Sequence, residues 1–184
     1  MKSHKFPITD DHIHIDPVNG RGLEAAKDFL RAGGTHLFLV TKPSSSFGVL
    51  PHTGDEFSLA YEKTIAIADQ IRALGITVFV ILGVHPAEMT RLSATTPLSE
   101  TVAIMKRGID IAASYIGEGR AVALKSGRPH YPVPDEVFSA SNEVLSHALT
   151  LAADLKCAVQ IHAETGPCSD VVGMAEQAGL PPHK

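Results

Sequence analysis

An α/β fold with a parallel sheet and helical crossovers is what this chain of 184 residues predicts, and three observations carry that reading. Five short apolar stretches alternate with five stretches of helical periodicity. The apolar stretches read as strands buried on both faces, as parallel strands are. Polar, chemistry-bearing residues collect at the C-terminal ends of strands one, three, four and five, as in a (β/α) barrel, whereas a doubly wound sheet concentrates them at one switch point. Neither G-x-G-x-x-G nor G-x-x-x-x-G-K-[ST] is present, so the nucleotide-binding folds lose their usual support.

The first strand is Ile8 to Asp16, carrying His12 and His14 two residues apart. Alternation places Asp10, His12, His14 and Asp16 on one face and Ile13 and Ile15 on the other. Gly20-Arg-Gly22 punctuates, Leu23 to Ala32 is a short helix, and Gly33-Gly34 ends it. His36 to Val40 is a compact strand. Thr41 to Asp55 is a loop rich in Pro, Ser and Gly, of a length usually given to function or motion. A helix over Glu56 to Leu74 stops at Gly75, and Thr77 to Val84 is the third strand. His85-Pro86 and Leu92 to Pro97 belong to the next connection, followed by a helix over Leu98 to Ser114. Ala121 to Lys125 is the fourth strand, and Ser126 to Pro134 is its loop. Asp135 caps the next helix, Ala158 to His162 is the fifth strand, and Ser169 to Ala178 is the last helix, ended by Gly179.

Strand starts near residues 8, 36, 77, 121 and 158 recur about every 37 residues, so eight units need on the order of 300 residues. The expectation is a single domain over residues 1–184 that forms the N-terminal part of a barrel, about five βα units of a longer chain.

Hydrophobic residues make up 44% and charged residues 20%, which suits a folded core and argues against a disordered chain. The net charge of −4 does not advertise nucleic acid, although a local metal ion meets phosphate where surface charge does not. Cys157 and Cys168 are too few for a disulfide framework and lack C-x-x-C spacing. The N-terminus has no apolar signal region and the longest apolar run, Val78 to Val84, is far too short to span a membrane. A cytoplasmic protein without a membrane partner is expected; a homo-oligomer is left open.

The candidate chemistry lies at the strand ends. His12 and His14 on one face form half of a metal site, since neutral imidazole is the commonest ligand for zinc and related ions; a solvated pair is the alternative for an isolated H-x-H. His85 emerges directly from the third strand, with a packed loop histidine as the alternative. His162 closes the fifth strand with Glu164 two residues on. Lys125 occupies the fourth strand's end, where a bridging carboxylate would serve a two-metal centre. As an ammonium it repels cations; as a neutral amine it can take up carbon dioxide to give an anionic carbamate; or it is an ordinary ion-paired lysine, or marks a damaged site. Arg128, His130 and Tyr131 in the following loop are placed to meet an anionic group, or they belong to a proline-stiffened surface loop.

Asp11-His-Ile-His14, Gly83-Val-His-Pro86, Ala123-Leu-Lys-Ser-Gly127 and Gln160-Ile-His162 fall in the order and approximate spacing of the TatD-related metal-dependent hydrolases of the amidohydrolase superfamily, which the chain resembles along essentially its whole length. The Gly-Arg-Pro-His-Tyr run after strand four is similar to a subgroup of that family. The resemblance implies a TIM (β/α)8-type barrel with one or two divalent metals (Zn, Mn or Mg). His12, His14, a strand-four acidic residue and His162 would hold them, with His85 near the substrate. It further implies a histidine from a sixth strand and an aspartate from an eighth, the latter as general base. This sequence departs from the pattern at Lys125, where the family has Glu, and phosphotriesterase-like relatives use a carboxylated lysine as the bridge. The expected activity is hydrolysis of a phosphoester, in a small molecule or at a nucleic-acid end. The alternatives are a carboxylated-lysine amidohydrolase acting on a lactone, amide or phosphotriester, and a non-catalytic barrel fragment.

Overall fold

A computed structural model describes residues 6–162 and 168–181. The elements run β1 (Thr9–Ile13), α1 (Leu23–Arg31), β2 (His36–Val40), α2 (Phe57–Arg72), β3 (Thr77–Gly83), α3 (Ala87–Leu92), α4 (Leu98–Gly117), β4 (Ala123–Gly127), α5 (Asp135–Leu155), β5 (Ala158–His162) and α6 (Ser169–Gln177). Two 3-10 turns, Ser44–Phe47 and Gly54–Glu56, break up the long loop after β2. The five strands are parallel and lie side by side in sequence order, β1-β2-β3-β4-β5. A doubly wound sheet must reverse its order at some point. This one never does, and it curls into a half-barrel with the helices between successive strands.

Alternation along the strands separates two apolar clusters. Leu37, Leu39, Val78, Val80, Leu82 and Leu124 join the helices in one large core. Val40, Ile81 and Ala123, with Phe38 and Ala158, form a small cluster on the opposite, lumen-facing side. The helical layer is tight where α4 meets α5: Ala112, Ala148 and Ala152 are wholly buried. Tyr61 on α2 reaches across to donate to the Gly108 carbonyl at 3.0 Å.

Register then stacks the lumen in rows. Val40 pairs with Ile81, Ile81 with Ala123 and Ala123 with Ala158, an apolar row. Two residues further along, Gly83, Lys125 and Gln160 form the next row, and Gly127 with His162 the one after. Polar residues therefore occupy the C-terminal half of the lumen, where barrel enzymes keep their chemistry.

Three elements differ from the sequence reading. β4 begins at Ala123, not Ala121, and runs on through Ser126 and Gly127, so Lys125 sits mid-strand and not at its end. Ala121-Val122 is apolar but only approaches the sheet, with Val122 exposed. β1 ends at Ile13, and it carries an extra residue: Asp10 pairs with Leu37 and Ile13 with Leu39, three steps against two. That bulge breaks the alternation, so Asp10 registers with helix-facing Leu37 and does not share the face of His12 and His14. Asp16 lies past the strand in a turn, its Oδ1 accepting from the amides of Val18 (2.8 Å) and Asn19 (2.9 Å). Finally, α3 is a short helix inside the connection after β3.

Candidate metal and phosphoester site

His12 and His14 converge from the end of β1. Their Nε2 atoms lie 3.3 Å apart with the rings edge to face. His14 Nδ1 meets the Val40 carbonyl at 2.8 Å, and because a carbonyl only accepts, Nδ1 carries the proton. The Nε2 lone pair of His14 is thereby turned toward His12. Two nitrogens bound about 2.0–2.1 Å from one tetrahedral ion stand about 3.3–3.4 Å apart, so this spacing suits a shared cation. Both rings are harder to protonate than free histidine, His14 with its pKa down to about 4. Partial removal from water is the main cause and the charge of Lys125 the next.

His85 follows β3 and adopts the opposite tautomer. Its Nδ1 accepts from the Ala87 amide at 3.1 Å, at the start of α3. Burial first, then Lys125 and His162, push its pKa down to about 3. A neutral ring with Nδ1 occupied as an acceptor carries its proton on Nε2, which makes His85 a donor. Its centroid lies 4.4 Å from that of His162. His162 Nε2 in turn meets His130 Nδ1 at 3.0 Å. Tyr131 is tied to α3 through its hydroxyl, 2.7 Å from Thr90 Oγ1.

Lys125 has no exposed surface. Its Nζ donates to the Thr41 carbonyl at 3.1 Å, and burial lowers its pKa to about 8. It shares its lumen row with Gly83 and Gln160, and its charge holds down the pKa of His12, His14 and His85 alike. The donor set thus fits a cation at His12 and His14, whereas a protonated Lys125 does not fit as a ligand. Among the described residues, no three His, Cys, Asp or Glu side chains close on a common metal position. Glu164 lies outside the described residues.

Arg128 is not turned toward an incoming anion. Its guanidinium forms a two-pronged pair with Asp170 at the start of α6 (2.5 and 3.1 Å), lies 5.2 Å over the Phe138 ring and is 8% exposed. The Asp170 carboxylate raises its pKa further. It fastens α6 to the β4–α5 loop.

Gln160, in the sequence only part of a motif, takes a role here: its Nε2 donates to the Asp11 carbonyl beside His12. The alternation of β5 could have found it, since Ala158, Gln160 and His162 share a face. Sequence reasoning passed over the Val40 and Thr41 carbonyls, which no side-chain pattern announces.

Sequential parallel strands with imidazoles gathered at their C-terminal ends define part of a (β/α) barrel that carries its polar groups at the C-terminal face. Comparison sharpens the class: the family model described as TatD related DNase matches residues 9–184, and the chain belongs to that family. It is 36% identical over 185 residues to the uncharacterised protein MJ1127 of Methanocaldococcus jannaschii, covering 97% of this chain and 64% of that protein. The crystal structure of the TatD-like protein AF1765 from Archaeoglobus fulgidus shares the fold, with a TM-score of 0.62 at 20% identity, over 94% of this chain and 64% of that one. The chain thus spans about two thirds of the length of both relatives. No described helix is long and apolar enough to cross a membrane.

Proposed function

We propose that this chain contributes the metal-holding half of a hydrolase that cleaves phosphoesters, a nucleic-acid end among them. The observation that carries the reading is the pair of opposite tautomers: His14 offers a lone pair at Nε2, 3.3 Å from the His12 Nε2 atom, whereas His85 offers a proton at Nε2. One set suits a Zn, Mn or Mg ion and the other suits a phosphoryl oxygen. A divalent ion supplies Lewis acidity, lowering the pKa of water and drawing charge from the phosphoryl group. His85 donates to a non-bridging oxygen as charge grows there. His130 and His162, in contact at 3.0 Å, form a pair that can take up a proton from water and deliver it to a departing oxygen. Membership of the TatD related DNase family supports the substrate class.

The test uses the full-length protein with Zn or Mn and a labelled oligonucleotide or an aryl phosphodiester. Cleavage should need the metal; His12→Ala should lose both metal and cleavage. His85→Ala should keep the metal and slow cleavage by about 10²–10³-fold. No bound metal at saturating Zn or Mn, with phosphodiesters intact, would remove the proposal.

A second reading is favoured by Lys125, a wholly buried amine whose pKa is down to about 8. The neutral amine's lone pair bonds to the carbon of carbon dioxide and its proton leaves to water, giving a carbamate, an anionic ligand where the ammonium is none. Lactones, amides and phosphotriesters are then the substrates to screen with and without bicarbonate.

A further inference from the structure

The geometry points to Glu88 as a positioning residue for the candidate site: through Ser44 it holds the strap 40–44, whose carbonyls fix His14 and Lys125. This inference rests on the site proposed above.

Glu88 lies on α3 with no exposed surface. Its Oε1 accepts from the Ser44 amide at 2.7 Å and the Ser44 hydroxyl at 2.6 Å. Oε2 has no hydrogen-bond partner among the described residues, and the nearest cation, Arg91, is 3.7 Å away and partly exposed. Sinking a carboxylate this deep is costly unless its bonds are strong, and charge-assisted bonds to a backbone amide and a hydroxyl are about twice as strong as neutral ones.

What they hold is a strap whose carbonyls at Val40 and Thr41 reach the site. The Val40 carbonyl fixes the His14 tautomer. The Thr41 carbonyl accepts from Lys125, while the Thr41 amide donates to Ile81 at 3.0 Å. Lys42 pairs with Asp16, in the turn just past His14. Glu88 follows His85 by three residues, and its own amide donates to the His85 carbonyl at 2.9 Å. Glu88 thus ties the His85 turn to the strap that orients His14 and Lys125, so the donor tautomer and the ligand tautomer are set relative to one another through one carboxylate. Partners behind a metal-binding histidine are worth about 10–100-fold in metal affinity.

The experiment compares Glu88→Ala, Glu88→Gln and Ser44→Ala in the full-length protein by two readouts. One is zinc affinity by chelator competition; the other is the His14 tautomer from ring nitrogen shifts in metal-free protein. Glu88→Ala should weaken zinc binding about 10–100-fold and lose the single Nδ1-protonated form of His14. Glu88→Gln, which keeps an oxygen for Ser44, should recover most of both. Ser44→Ala should shift both in the same direction by less, and it decides the matter if Glu88→Ala does not fold. Wild-type affinity and tautomer in a folded Glu88→Ala would overturn the inference, as would a Glu88→Gln as impaired as the alanine variant. If the wild type binds no zinc, the proposed function fails while the tautomer readout still judges Glu88.

Discussion

The two faces of the sheet are made by the same strands and do opposite work. Leu82 points into the helical core and Ile81, its neighbour in the chain, into the lumen. The helical face is predominantly apolar and is covered by the described helices. The lumen face is apolar only in the row Val40, Ile81, Ala123 and Ala158, then turns to lysine, glutamine and histidine. One face stores stability; the other holds groups that lower it, which lets a site be rebuilt residue by residue on a scaffold that does not depend on it.

Three measurements would break or sharpen that contrast. The largest effect is expected for Leu82→Ala, about 4 kcal/mol lost in urea unfolding, against about 2 kcal/mol for Ile81→Ala, both within the range for buried aliphatics. Equal losses would mean that the lumen cluster shares the work of the core.

Next comes Lys125→Met, which should stabilise the protein. The native amine titrates near 8, below its ordinary 10.5. Between those values the unfolded chain binds more protons, so the wild type gains stability as pH rises through that window. The burial penalty is then about 3 kcal/mol at pH 7 and gone by about pH 10.5. Loss of the bond to Thr41 offsets part of the gain. The gap between variant and wild type in chemical unfolding should close as pH rises; a pH-independent gap would show that packing, not charge, sets it.

The smallest concerns acid. His85 stays neutral in the fold to about pH 3, whereas in the unfolded chain it takes up a proton below about 6.5. Its contribution is present above that value and is lost as pH falls toward 3. The metal-free protein should lose about 1–2 kcal/mol from this ring between pH 7 and pH 5. His14, more open to water, acts in the same direction. In His85→Leu the acid slope should be shallower, as urea midpoints at the two pH values would show.

Much of this was legible in advance where residue type and period agree. β2 and β5 fall where the apolar runs place them, and sequential alternation of strands and helices gives the barrel. The fourth strand lies two residues beyond its apolar run because its C-terminal part, Lys125-Ser126-Gly127, is not apolar. Apolar patterning finds strand cores, and a lumen that carries chemistry replaces apolar side chains at the end that matters. His12, His14, His85 and His162 stand out as types. Their tautomers do not, because backbone carbonyls and amides set them. Glu88 falls in the connection after the third strand with no pattern to mark it, and only the fold reveals that it is buried. The residue type of Arg128 points to an anion, and the structure supplies one from within the chain in Asp170, 42 residues on.

Gly83 stands beside Lys125 in the lumen row, and a Cβ there would come within 1.9 Å of the Lys125 carbonyl oxygen. An acidic group cannot be imported from that neighbouring position without prising the strands apart. Acquiring or losing an anion in this row therefore falls to residues 125 and 160, and lysine and glutamate codons differ by one base. A natural lineage or a laboratory selection has a one-nucleotide path between an ammonium and a carboxylate at the heart of the barrel, with the surrounding walls left unaltered.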